Sequence, residues 1–314
     1  MNLDDIMMNE EKKEVIFLLG ATGGIGKLLA EELKKNGYIV VGNGRKEDVL
    51  IKMKNEGKID DYVVGDLTNG EDRKRIVEKI KEYVNKGYKV TVFYNIGILY
   101  EHPGEFKNYT SEMIDKSYEI NVKSIEKMDN ELEKNDLYLD TIYMISISAF
   151  YRGKDWDQEY QKTKAALKAH AEDQILNNNS RRIIALFPDT IKTGEEGMGS
   201  KLKEYPKIPG EIFVKKVVEI INGKYKEYSG FMFEISEYKG IISKLRNNKY
   251  ISRILNNKYV SRLLNNKYIA KLRDLFGIDP RPTIKLYGMN PSKDRNTFDY
   301  HEKKFLEKLG KAVY

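Results

Sequence analysis

Apolar and polar positions run along this chain in two rhythms that alternate up to about residue 236. Residues 15–19 form an unbroken apolar run that stops at glycines, VIFLLGATGGIG over 15–26, and 27–35 then reads as a helix. A short continuous apolar run fits a strand covered on both faces, whereas spacings of three and four residues fit a helix with one buried face. The pair recurs. Strands are predicted at 38–41, 61–68, 89–97, 140–148, 181–187 and 229–236, and helices at 46–57, 70–86, 111–134, 158–178 and 209–222. In helix 70–86, for example, Ile76, Ile80 and Val84 share one face. Regular alternation implies an α/β fold: a doubly wound, Rossmann-type parallel sheet of about seven strands, with helices on both faces and right-handed crossovers. Ligands of such sheets lie beyond the carboxyl ends of the strands.

The pattern divides the chain into an acidic, polar tail (1–13), the sheet domain (14–238) and a mainly helical extension (239–314). Charge sharpens this division. The net charge is +7, yet residues 239–273 hold ten Lys or Arg and no Asp or Glu; without those ten, 45 basic residues face 48 acidic ones, a net of −3. Basicity therefore belongs to one segment, which argues against a general nucleic-acid surface. With no cysteine and three scattered histidines (His102, His170, His301), disulfides and thiol chemistry are excluded and no metal centre is expected. The start lacks an apolar signal core and no apolar run has membrane-span length, so a cytoplasmic protein is the expectation.

Two motifs carry chemistry. Gly20, Gly24 and Gly26, with Gly23 between them, sit where a strand turns into a helix. Absent Cβ atoms let backbone approach a pyrophosphate, and helix N–H groups face the anion. Further along, Tyr160 and Lys164 fall at i and i+4, on one helix face. A neighbouring cation favours a phenol's anion and so tunes it for proton exchange with an alcohol or carbonyl oxygen.

The glycine loop, a strand-end Asn-x-Gly, a strand-end serine and Tyr-x-x-x-Lys, in this order, resemble the short-chain dehydrogenase/reductase family over roughly residues 14–236. Leu19 stands where a threonine is usual. Tyr94-Asn95-Ile96-Gly97 replaces the usual Asn-Asn-Ala-Gly, and Asp189 replaces a glycine in Pro188-Asp189-Thr190-Ile191-Lys192-Thr193. The resemblance implies a catalytic set of Asn121, Ser148, Tyr160 and Lys164. Tyr160 would be general acid or base, with Lys164 lowering its pKa and bonding the nicotinamide ribose. Ser148 would bond the substrate oxygen, and Asn121 would hold a water of the proton relay. Cofactor contacts are implied for Gly20, Thr22, Gly24, Ile25, Gly26, Arg45, Asp66, Leu67, Asn95, Gly97, Pro188, Ile191 and Thr193, besides Tyr160 and Lys164. The family's usual interval before Tyr160 falls on Ile147, so Ser146 and Ser148 both remain candidates. They are expected on one side of a strand, with Ser148 nearer its end.

Cofactor choice rests on the end of the second strand. Gly42-Asn43-Gly44-Arg45-Lys46 places two cations where an acid would favour NAD(H), so NADP(H) is the expected cofactor and NAD(H) the alternative. Phe150, Tyr151, Arg152, Trp156 and the Gly-rich stretch after Thr193 would line a substrate pocket or fill a subunit contact. A homodimer or homotetramer follows the family habit. The segment 239–273 carries a nine-residue repeat (KLRNNKYIS, RILNNKYVS, RLLNNKYIA). Nine residues make about 2.5 helical turns, so successive copies face opposite ways. The segment suits an anionic membrane surface, an acidic partner or a solvated appendage. Residues 279–291 read as loop and 299–311 as a last helix. The competing functional class is a dinucleotide-binding scaffold or sensor without turnover.

Overall fold

The computed structural model describes residues 14–99, 110–150, 158–177, 181–188, 190–193, 208–223, 230–236 and 283–289. The repeat segment 239–273, the predicted helix 299–311, Asp189, Tyr151, Arg152, Trp156, residues 194–207 and the Phe150 side chain lie outside them. The first half alternates strand and helix: β1 (Glu14–Leu19), α1 (Gly24–Lys35), β2 (Ile39–Gly44), α2 (Glu47–Asn55), β3 (Asp61–Val64), α3 (Gly70–Asn85) and β4 (Lys89–Tyr94). Then come α4 (Ser111–Tyr118), a π-helical turn (Glu119–Lys123), α5 (Ser124–Glu133), β5 (Asp140–Met144), a 3-10 turn (Ile147–Phe150) and α6 (Gln158–Asn177). The remainder is β6 (Ile183–Pro188), β7 (Ile191–Lys192), β8 (Ile208–Pro209), α7 (Gly210–Ile221), β9 (Gly230–Ser236) and β10 (Thr283–Met289).

The main sheet has the order β10-β9-β6-β5-β4-β1-β2-β3. All neighbours in it are parallel except the β9–β10 pair. β1 lies between β2 and β4, which is why Val15–Leu19 is apolar throughout and wholly buried. Its side chains alternate between two cores. Val15, Phe17 and Leu19 meet Ile76 and Ile80 of α3, Met128 of α5 and Leu167 of α6. Ile16 and Leu18 join Leu29 and Leu33 of α1 and Phe213 and Val217 of α7. Each such side chain contributes about 1.5–3 kcal/mol when fully buried. The chain steps outward from β1 to β3, then crosses back to β4. The strand order thus reverses between β1 and β4, and a crevice opens there at the carboxyl ends.

Helix starts are built locally. At α3, the Asn69 side chain accepts from the Glu71 and Asp72 N–H groups at 2.9 and 3.2 Å. Asn69→Ala should lower stability by about 1 kcal/mol, read as a shift in the denaturant midpoint. Among the described residues no helix is long and apolar enough to cross a membrane.

Four local expectations are corrected. β5 stops at Met144 rather than reaching 148, because the Ser146 hydroxyl accepts from the Ser148 N–H (3.1 Å) and diverts the chain into a turn. The two serines are therefore on a turn, and strand alternation does not set their directions. β3 ends at Val64, leaving Asp66 beyond the strand. The single helix expected over 111–134 contains a π turn, which a 3.6-residue reading cannot register. Finally, part of the loop expected over 279–291 is strand β10, paired antiparallel with β9 from Thr283↔Ser236 to Met289↔Gly230. Pro280, Pro282 and Gly288 outweighed the polar–apolar alternation of TIKLY in the loop reading.

Candidate active site

The crevice between β1 and β4 is closed by backbone. Gly20 has φ +89°, and a Cβ there would stand 2.6 Å from the Asn95 carbonyl oxygen. Asn95 donates its N–H to the Leu19 carbonyl (2.9 Å) and its side-chain amide to the Gly20 carbonyl (3.1 Å). A Cβ on Gly26 would strike the Gly20 carbonyl and come within 2.7 Å of that of Ala21. Helix α1 thus starts hard against the loop, with Gly23 as an N-cap that offers no side-chain bond and with no acid in its first turn. Its first N–H groups and dipole suit an anion. Thr193 overhangs this point: a Cβ on Gly24 would lie 2.8 Å from both the Thr193 Cβ and Oγ1.

At the far end of the crevice, β2 ends beside β3. Asn43 is buried and donates to the Val63 and Gly65 carbonyls (3.1 and 3.2 Å), while its own carbonyl accepts from Gly20 and Ala21. Gly44 leaves room for Thr22, whose Cγ2 would be 2.7 Å from a Cβ placed there. Arg45 Nη1 lies 3.6 Å from Asp66 Oδ2, with 69% of the Arg45 side chain exposed. Burial raises the Asp66 pKa, but the Thr68 N–H and hydroxyl bonds and the Arg45 charge outweigh it and hold it below the usual value. Leu67 turns its side chain into the core, so only its backbone is offered to the crevice.

The third part is a polar knot. Asn121 sits in the π turn, fully buried. Its Oδ1 accepts from the Ile98 N–H at 2.7 Å. Its amide nitrogen faces the Ile98 carbonyl (2.9 Å), Ser117 Oγ (3.1 Å) and Thr163 Oγ1 (3.1 Å). Thr163 in turn donates to the Tyr160 carbonyl at 2.9 Å. Lys164 is 2% exposed, with Nζ 5.4 Å from the centre of the half-buried Tyr160 ring. A Cβ on Gly97 would stand 3.1 Å from Lys164 Nζ and 3.4 Å from Asn121 Oδ1, so this glycine admits both groups. Burial pushes the Lys164 pKa down from 10.5 to about 8. The native state therefore binds fewer protons than the unfolded chain between those values, and this group's penalty on stability is relieved as pH rises through them. The 147–150 turn, with half-buried Ser148, packs against α6.

The structure thus gathers Gly20 with Asn95, Gly24 with Thr193, Arg45 with Asp66, and Gly97 with Asn121 and Lys164. Pro188 and Ile191 are buried at the end of β6 and on β7. Sequence reasoning missed Ser117, Thr163 and Asn43. Ser117 lies four residues before Asn121 and Thr163 three after Tyr160, so face-by-face reading around Asn121 and Tyr160 would have found the first two.

Residues 14–195 match the short chain dehydrogenase family, more than half of the chain. The chain belongs to that family. Among curated relatives, a hydroxysteroid dehydrogenase-like protein 1 of Gallus gallus is 28% identical over 114 residues, covering 35% of this chain and 34% of that protein. The chain thus spans about a third of that relative's length. Among solved structures, an alcohol dehydrogenase of Thermococcus sibiricus, complexed with 5-hydroxy-NADP, aligns at TM-score 0.57 and 21% identity. The alignment covers 70% of this chain and 95% of that one. A 3-ketoacyl-(acyl-carrier-protein) reductase of Brucella melitensis, complexed with NADH, aligns at 0.59 and 18% identity over 71% and 96%. These likenesses establish the doubly wound fold for this short chain dehydrogenase.

Proposed function

We propose that this protein is an NADP(H)-dependent oxidoreductase that interconverts a carbonyl and an alcohol on a small molecule. The single observation that carries the reading is the buried Lys164 beside Tyr160, reached across Gly97 from the same strand end that closes the glycine crevice. The residues fit a dinucleotide. Gly20 and Gly26 lack the Cβ atoms that would fill the loop, α1 presents uncapped N–H groups, and Arg45 with Lys46 offers cations at the end of β2. Gly20, Thr22, Gly24, Ile25 and Gly26 would hold the pyrophosphate end, Asp66 and the Leu67 backbone the adenine, and Asn95, Gly97, Pro188, Ile191 and Thr193 the nicotinamide end. When bound, the nicotinamide supplies or accepts the hydride.

The chain supplies position and protons. In reduction, the Tyr160 hydroxyl gives its proton to the carbonyl oxygen as charge develops there; in oxidation, its phenolate takes the alcohol proton. The Lys164 ammonium favours that phenolate by its charge. Ser148 bonds the substrate oxygen in the transition state. Asn121, held by the Ile98 backbone on one side and Thr163 on the other, keeps the proton path beside α6 ordered. The family's relatives bind either dinucleotide form, one with 5-hydroxy-NADP and one with NADH, so the choice in this chain falls to Arg45. Arg45 faces the Asp66 carboxylate at 3.6 Å and most of its side chain is in solvent, which leaves it able to swing to a 2′-phosphate.

Titration with NADPH and NADH, followed by a panel of aldehydes and ketones, tests the reading. NADPH should bind at least about tenfold more tightly than NADH. Arg45→Ala should erase that difference by weakening NADPH about tenfold, about 1.4 kcal/mol, with NADH affinity unchanged. Tight binding of either dinucleotide without turnover across the panel would favour the scaffold class instead. Assembly as a homodimer or homotetramer is part of the same proposal, and light scattering of the full chain reads it.

A further inference from the structure

Four elements beside the site meet at one buried carboxylate: α5 carries it, and β4, β5 and α6 each send it a side chain. Asp129, on α5 eight residues after Asn121, is 1% exposed. Its Oδ1 accepts from the Tyr94 hydroxyl at 2.5 Å and its Oδ2 from the Tyr143 hydroxyl at 2.7 Å. His170 Nε2 stands 2.7 Å from Oδ2. Tyr94 ends β4, immediately before Asn95. Tyr143 lies on β5, three residues before Ser146. His170 is on α6, six residues after Lys164. The rings add a second constraint. Tyr94 and Tyr143 stack with centroids 5.3 Å apart and planes 9° apart, and His170 meets Tyr143 edge-on at 5.9 Å.

Apolar packing alone holds neighbouring elements together without fixing direction, because hydrophobic attraction is non-directional. Three hydrogen bonds to two oxygens do fix direction, and in a buried site each is costly to leave unmade. The phenols are well suited to donating: burial first, then the Asp129 charge, raise both tyrosine pKa values well above 10.0. For His170, burial lowers the pKa, but the bond to and charge of Asp129, with the charges of Glu126 and Asp173, raise it above its ordinary value. The remaining charged groups nearby have their own partners, Arg181 with Gln174 and Glu133, and Glu126 with Lys123.

The cluster also explains Tyr94, which departs from the family's asparagine. Its side chain points into the core and ends on Asp129, while the next residue closes the crevice. From there the geometry runs directly to the site: Asn95 bonds Leu19 and Gly20, and Gly97 abuts Lys164 and Asn121. We propose that Asp129 is a positioning residue for the reaction, which fixes β4, β5, α5 and α6 in the one register that brings Asn95, Ser148, Asn121 and the Tyr160/Lys164 pair together. The inference rests on the assignment of those residues to the reaction, but it can be read without turnover.

The experiment compares Asp129→Asn, Tyr94→Phe and His170→Gln with Asn69→Ala, which destabilises the fold at the start of α3, on the far side of the sheet order from Tyr160 and Lys164. Each is assayed well below its melting temperature. Asp129→Asn should lower kcat about 10- to 100-fold, as a displacement of about 1 Å would, with the carbonyl KM within about threefold. Tyr94→Phe and His170→Gln should show the same split more weakly, and Asn69→Ala should leave kcat unchanged. In parallel, amide deuterium exchange should quicken over 95–99, 119–123 and 158–165 in the Asp129 variant and stay unchanged over 24–55. If Asp129→Asn does not fold, the two milder variants decide. Lowered melting temperatures with kcat and exchange at those three segments unchanged would overturn the proposal. If the wild type itself turns over no carbonyl, the oxidoreductase reading fails while the exchange data still decide the positioning role.

Discussion

Tyr160→Phe should lower kcat for carbonyl reduction roughly 10³-fold, about 4 kcal/mol of transition-state stabilisation, while NADPH binds as before. The substitution removes one oxygen and keeps the ring, so the packing of α6 is preserved. Lys164 Nζ lies 5.4 Å from the ring centre, and that approach does not depend on the hydroxyl. What is lost is the hydroxyl proposed to pass a proton to the substrate oxygen. The check is a steady-state assay paired with NADPH fluorescence titration on the same preparation. A kcat within threefold of wild type, with intact cofactor binding, would remove Tyr160 from the mechanism.

Gly20→Ala should damage both the crevice and the fold. The residue has φ +89°, a conformation costing an L-residue about 1–2 kcal/mol, and the new Cβ would sit 2.6 Å from the Asn95 carbonyl oxygen. Neither neighbour can yield cheaply, since Asn95 is held by two hydrogen bonds to Leu19 and Gly20. Relief requires β4's end to move off β1, which opens the loop and shifts Gly97 from Lys164. Loss of about 2–3 kcal/mol of stability and at least a 100-fold rise in the NADPH Kd are expected. Thermal melting and titration check them together. An unchanged Kd would mean the loop is not the cofactor site. By contrast, Gly23→Ala should be mild, because the nearest atom to a Cβ there is 3.7 Å away.

Most of the sheet was legible because its strands are buried on both faces and so spell continuous apolar runs, as Val15–Leu19 does. Burial also explains the clearest misreading at the edge. β10 joins only β9 and is interrupted by punctuation residues, so it carried no comparable run. The site was legible where chemistry imposes a spacing: the Tyr160/Lys164 interval, the glycines of the α1 start and Asn95-x-Gly97. It was opaque where function depends on contacts between distant segments. Nothing local announces that Asn121 stands in a π turn, that Ser146 ends β5 by accepting the Ser148 N–H, or that Thr193 overhangs Gly24. Asp129 is the extreme case. In sequence it is one acid in an acidic helix, SIEKMDNELE, and only the fold brings Tyr94, Tyr143 and His170 to it.

These elements converge on one claim, that Tyr160 and Lys164 serve hydride exchange with a carbonyl compound at the crevice between β1 and β4. The direct measurement is isotope transfer. The full chain is incubated with NADPH carrying deuterium at the reactive nicotinamide carbon and a panel of aldehydes and ketones, and the alcohols are analysed by mass spectrometry. At least one product alcohol should carry a single deuterium on its carbinol carbon, and none should do so with Tyr160→Phe over the same time. Bound NADPH with no deuterium in any product of the wild-type protein would contradict the account.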